Sequence, residues 1–133
     1  MIPTIVPFYA AVLGLIFIFL SARVVAARRQ FRVRLGSGGH QLLERRIRVQ
    51  GNFAEYVPLT IVLLTFLELY GAAKWLIHVL CIGLILGRCL HAYCVGRIDE
   101  DIRQRRAAMV LTFGALFVAA TGVIVYSGLR MFG

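Results

Sequence analysis

Glu44, Arg48, Asn52 and Glu55 recur at helical intervals in the run Glu44-Arg45-Arg46-Ile47-Arg48-Val49-Gln50-Gly51-Asn52-Phe53-Ala54-Glu55-Tyr56-Val57-Pro58. On an α-helix advancing about 100° per residue they share a stripe roughly 80° wide. Two carboxylates, a guanidinium and an amide on one face can hold a ligand that carries both charge signs. The guanidinium offers a planar donor fork to a carboxylate, a glutamate accepts from an ammonium, and the amide reads a peptide bond. The same stretch opens a long apolar segment. Polar groups entering a bilayer cost about 2.5–3.5 kcal/mol each even on a gentle scale, so they turn towards a bundle interior or a ligand.

The elements that must position this stripe are apolar helices. The chain has 133 residues, 60% of them hydrophobic, and a mean hydropathy of +0.83. That is too apolar for a soluble domain of this size and suits a small polytopic membrane protein. Hydrophobic segments run over about 5–27, 41–70, 75–93 and 107–129. They predict an all-α integral membrane protein, a bundle of four transmembrane helices within a single domain spanning 1–133. The first segment lacks the basic leader of a signal peptide and reads as a spanning helix. The second, roughly 45 Å long, exceeds the hydrocarbon core, so its polar half projects to the interface.

A net charge of +9 raises the question of nucleic acid. However, the arginines crowd into Arg28–Arg48 and Arg97–Arg106, beside the spans, where the positive-inside rule puts cytoplasmic loops. No nucleic-acid recognition module surrounds them. This distribution predicts both termini outside, the two charged loops inside and, in a bacterium, residence in the inner membrane. Gly83 and Gly87 form a GxxxG, and Gly114, Ala115, Ala119, Ala120 and Gly122 stud the last segment, as close helix packing in a membrane requires.

With that topology Arg28, Arg29, Arg88, His91, Tyr93, Arg103, Arg105 and Arg106 reach the same membrane face as the stripe. Blander roles are expected elsewhere: Arg32 and Arg34 as interface anchors, Arg45 and Arg46 as headgroup contacts, and Glu68 as a solvated residue. His78 is expected to find an interhelical partner. Asp99, Glu100 and Asp101 read as a solvated loop or a cap for the last helix. Cys81, Cys89 and Cys94 form no CxxC pair and suit free thiols, and no spacing with His40, His78 or His91 makes a zinc site, so no metal is expected.

A small zwitterion with several carboxylates fits the converging side chains, and glutathione, with two carboxylates, an α-amine and two amides, fits them well. A free thiol with a pKa of about 8.5 is only a few per cent ionised at neutral pH. A neighbouring arginine favours the anion, each pKa unit being worth about 1.4 kcal/mol. The thiolate could then meet a lipophilic electrophile at the lipid–water boundary.

The pattern Glu44-x3-Arg48-x3-Asn52-x2-Glu55-Tyr56-x-Pro58 resembles the signature of the MAPEG family, the membrane-associated proteins in eicosanoid and glutathione metabolism. Ala27-Arg28-Arg29-Gln30-Phe31-Arg32-Val33 resembles the end of that family's first helix, and Gly87-Arg88-Cys89-Leu90-His91-Ala92-Tyr93 the third-helix motif of its bacterial branch. The resemblance implies a homotrimer of four-helix protomers with glutathione between subunits near the cytoplasmic face. It implies that Arg48, Asn52, Glu55 and Tyr56 hold glutathione, with Gln50 nearby and Arg88, His91 and Tyr93 contributing from the third helix. Arg29 matches an arginine that lies near the reacting groups in some members. The thiol-activating arginine of the family opens the fourth helix; Arg106, directly before the apolar run, is favoured here, then Arg105, with Arg103 also competing. Where eicosanoid-synthesising relatives carry third-helix tyrosines, this chain has His91 and Val95, with Tyr93 offset, which argues for a detoxification-type member.

The expected activity is therefore glutathione transfer to a hydrophobic electrophile, with glutathione-dependent peroxidase chemistry alongside. A non-catalytic scaffold of the same fold is the main rival. A small multidrug exporter would need a membrane-embedded acid in the first helix, which has none, and a quinone-linked thiol oxidoreductase would need paired cysteines facing outside.

Overall fold

The computed structural model describes residues 2–132, which form the helices α1 (Ile5–Phe31), α2 (Gln41–Leu69), α3 (Lys74–Val95) and α4 (Ile102–Phe132). All four are long and apolar enough to cross a membrane. The outer surface agrees: Phe8, Leu15 and Ile18 on α1 and Phe117 and Ile124 on α4 are exposed. Such a surface suits hydrocarbon or another apolar surface rather than water.

α2 and α3 form the central pair, flanked by α1 and α4. Among the described residues α1 and α4 do not pack on each other. α1 buries Val6, Leu13, Leu20 and Ala27, one residue every seven, which keeps a single seam against its neighbours along the whole span. α4 buries the small residues Ala108, Thr112, Ala115 and Ala119. Opposite them a Cβ on Gly87 would lie 2.9 Å from the Thr112 hydroxyl and 3.0 Å from the Ala108 carbonyl. α3 and α4 therefore approach nearly backbone to backbone at this level. Gly83, the other half of the GxxxG, faces open space.

α1 ends where Arg32 enters the left-handed region at φ 55° and the Val33 amide returns to the Arg28 carbonyl at 3.0 Å. The Arg28 guanidinium donates to the Gly36 carbonyl at 2.9 Å and folds the following loop under the helix end. α4 begins five residues before the apolar run, because an Asp101 carboxylate oxygen accepts from the Arg103 amide at 2.9 Å. Arg103, Arg105 and Arg106 thus stand on the first turns of a helix rather than in a loop.

Glu68 is not solvated, as its place at the rim suggested. Its carboxylate accepts from the amides of Thr4 and Ile5, both at 2.7 Å, and of Val6 at 2.8 Å. The first amides of a helix have no partners within it, and an anion there also complements the helix dipole. α2 thereby caps α1. Close by, the Tyr9 hydroxyl lies 2.9 Å from His78 Nδ1, the interhelical partner expected for that histidine.

Candidate functional site

α2 carries its polar residues on two adjoining faces, and they do different work. Glu44, Arg48 and Glu55 are exposed along a cleft of about 650 Å³ that is also lined by Arg45, Glu100 and Arg105. Asn52, at one margin of the stripe, turns inward instead. Its side-chain oxygen accepts from Arg88 Nη1 at 2.6 Å.

Arg88 is 1% exposed, in the buried stripe of α3. Its Nη2 donates to the Thr112 hydroxyl at 2.6 Å and lies 3.6 Å from the Met109 sulfur, while the guanidinium carbon stands 5.8 Å from the centre of the Tyr56 ring. One guanidinium therefore joins α2, α3 and α4. Its Nε hydrogen has no partner. Tyr56 continues the contact, edge-on to Phe113 with ring centres 5.3 Å apart. His91 is buried one turn beyond Arg88.

The floor of the cleft is an ion-pair bridge. Glu100 takes Arg45 on one carboxylate oxygen at 3.1 Å and Arg105 on the other at 2.8 Å. Partial burial pushes the Glu100 carboxyl up, but the hydrogen bonds and charges of Arg45 and Arg105 outweigh it and hold the group below the usual carboxylate range. Arg45 also donates to the Val95 carbonyl at 3.3 Å, so Arg45 ties α2 both to the end of α3 and, through Glu100, to the α3–α4 loop. Arg45 and Glu100 are thus structural partners, where headgroup contact and a solvated loop were expected. Neither Arg48 nor Glu55 lies within ion-pair distance of an opposite charge among the described residues. Uncommitted donors and acceptors therefore face the open cleft.

The other expected residues lie apart within the chain. Arg29 is exposed at the end of α1, in a separate cavity with Val25, Arg28 and Arg32. Arg106 is exposed but does not line the cleft, whereas Arg105 does. Tyr93 is exposed and bonds to Arg97 rather than entering the site. Gln50 is half-buried on α2, off the cleft. A second, apolar crevice of about 260 Å³ opens between α1 and α2, lined by Leu13, Gly14, Phe17, Phe53, Ala54 and Pro58. Phe17 and Phe53 stack at its edge, 5.6 Å apart.

The sequence model of the MAPEG family matches residues 6–125. The chain belongs to the MAPEG family. Among its relatives, the inner membrane protein YecN of Escherichia coli K12 is 40% identical over 110 residues, covering 83% of this chain and 82% of YecN. YecN of Escherichia coli O6:H1 strain CFT073 matches to the same extent. Membership accounts for the architecture: a four-helix membrane bundle with the motif-bearing helix in the central pair.

Proposed function

We propose that this MAPEG-family protein is a glutathione transferase of the bacterial inner membrane. It works as a homotrimer, with both termini outside and the charged cleft facing the cytoplasm. The observation that carries this reading is the unpaired Arg48 and Glu55, two turns apart on one face of α2, along an open cleft where Glu44 is also free and Arg45, Glu100 and Arg105 are bridged. Arg48 takes a glutathione carboxylate, Glu55 takes the α-ammonium, and the buried Arg88–Asn52 pair holds α2 in register behind them. Arg105 lines the cleft and gives one Nη to Glu100, and its half-exposed guanidinium keeps further donors for the thiolate within a protomer. Arg106 takes that role where a neighbouring subunit completes the pocket, as Arg29 does from α1.

The thiol loses its proton to water, and the thiolate attacks an electrophilic carbon. A carbon–sulfur bond forms as the bond to the leaving group breaks, and the leaving group departs with the electron pair. With a lipid hydroperoxide, two glutathiones become one disulfide while the hydroperoxide becomes an alcohol and water.

The test is the ultraviolet absorbance of glutathione thiolate on mixing with detergent-purified protein. The wild type is expected to ionise bound glutathione below its solution pKa, Arg105→Ala to lose the signal, and Arg48→Ala to weaken binding. Loss in Arg106→Ala with retention in Arg105→Ala moves the role to Arg106. No thiolate at all sinks the enzyme reading.

A second reading, a non-catalytic scaffold, draws on Arg88 and Asn52 bonding each other. Two motif positions are then explained by fold stability alone. Absence of glutathione binding in a folded protein would favour it.

A further inference from the structure

The cavity at the end of α1, about 520 Å³ in volume, is lined by Val25, Arg28, Arg29, Arg32, Val33 and Arg34. Arg29, Arg32 and Arg34 are exposed, and no carboxylate lies within ion-pair distance of any of them among the described residues. Arg28 alone is committed, to the Gly36 and Arg34 carbonyls at 2.9 and 3.4 Å. Those bonds, with the left-handed turn at Arg32, fold the loop back so that Arg32 and Arg34 share one cavity with the last turns of α1. Elsewhere at this end of the bundle Arg45 and Arg105 meet Glu100 and Arg97 meets Tyr93, whereas Arg48 stays open on the cleft beside carboxylates.

The same face of α1 continues away from the cluster as an apolar lane. Leu15, Ile18, Ala22 and Val25 are all exposed at three- and four-residue steps and lead directly to Arg29. From Leu15 to Val25 the lane is about 15 Å long, the depth of one bilayer leaflet. A free anion has no use for such a lane, and a lipid without net charge has little use for the cluster. We propose that this cavity binds the phosphodiester of an anionic phospholipid, whose acyl chain lies along the exposed stripe of α1. Guanidinium forks match phosphate oxygens in pairs, and a headgroup bearing its own cation gains far less from an unpaired basic cluster. Arg29 is shared with the glutathione reading, so the lipid proposal rests on Arg32 and Arg34, which that reading does not use.

Purified protein in non-ionic detergent is titrated into a fluorescent phosphatidylglycerol and, separately, a phosphatidylcholine with the same chains. The wild type is expected to bind phosphatidylglycerol at least tenfold more tightly. Each arginine near a lipid surface is worth about a fivefold change, so Arg32→Gln/Arg34→Gln is expected to lose roughly 25-fold and the preference with it. Arg97→Gln, at the same end but off the lane, is expected to keep the preference. If the double variant does not fold by circular dichroism, Arg32→Gln and Arg34→Gln are each expected to lose about fivefold. Equal binding of the two lipids by the wild type overturns the proposal. So does an undiminished preference in the folded variants. Displacement of phosphatidylglycerol by inorganic phosphate at comparable concentration would leave a bare anion site and overturn the lipid assignment.

Discussion

Glu55 and Glu68 are carboxylates on the same helix with opposite circumstances. Glu68 accepts three amide hydrogens from the start of α1 and is closed to anything else. Glu55 is exposed on a cleft and pairs with no cation among the described residues. Arg88 and Arg48 repeat the contrast: one is buried with two side-chain acceptors at 2.6 Å, the other is open. A polar group whose partners are supplied by the fold stabilises the fold, whereas one left without a partner beside a cavity is available to a ligand.

The contrast can be broken most forcefully at Arg88. Arg88→Ala leaves Asn52 and Thr112 unpartnered and opens a void between three helices, so a loss of about 3–5 kcal/mol is expected in denaturant unfolding of the detergent-solubilised protein. Glu68→Ala strands three amides at a rim that water can reach. A loss of about 2–4 kcal/mol is expected, reduced by about half in Glu68→Gln, which keeps an acceptor oxygen. Folded Glu68→Ala protein should still bind glutathione within a few-fold of wild type, whereas folded Arg88→Ala protein should bind it more weakly.

At the open positions the pattern should reverse. Arg48→Ala and Glu55→Gln should each change unfolding stability by less than about 0.5 kcal/mol, yet weaken glutathione binding by about tenfold or more, the worth of a charge-assisted hydrogen bond. Titration calorimetry beside a melting curve checks both halves. A large stability loss at Glu55, or none in binding, would dissolve the distinction.

The smallest effect lies in the Arg45–Glu100–Arg105 bridge. Glu100 has a folded-state pKa below the ordinary carboxylate value, so its contribution is present above that value and is lost as the pH falls through the folded pKa. Melting temperature should therefore decline on acidification below the usual carboxylate range, and Glu100→Gln should flatten that slope. An unchanged slope would mean the bridge is too exposed to matter.

Much of this was legible in the chain before any coordinates. Hydropathy located four helices because long apolar runs have no other use, and the stripe on α2 was visible because helical period is a local property. What was not visible depends on distant partners. Nothing near Asn52 says that it turns inward; that follows from the reach of Arg88 on another helix. Glu68 and the amides of Thr4 to Val6 are brought together only by the packing of α1 on α2. Arg45 and Glu100 each had a local explanation, and each instead serves the other. The early start of α4 was obscured by charges that break the hydropathy pattern but not the helix. His78 was the exception, since a histidine within a span needs a partner wherever it falls.

The cap on α1 has a mechanical consequence. At the Glu68 end α1 is fastened by three amide bonds and by the Tyr9–His78 contact. At the charged end, among the described residues, the side-chain hydrogen bond between them is the 3.3 Å one from Arg46 to the Arg23 carbonyl, beside the Phe31–His40 stack. The Glu68 carboxylate therefore sets where α1 begins against α2, and the apolar crevice beside Phe17, Phe53 and Pro58 runs along a helix whose start its neighbour dictates.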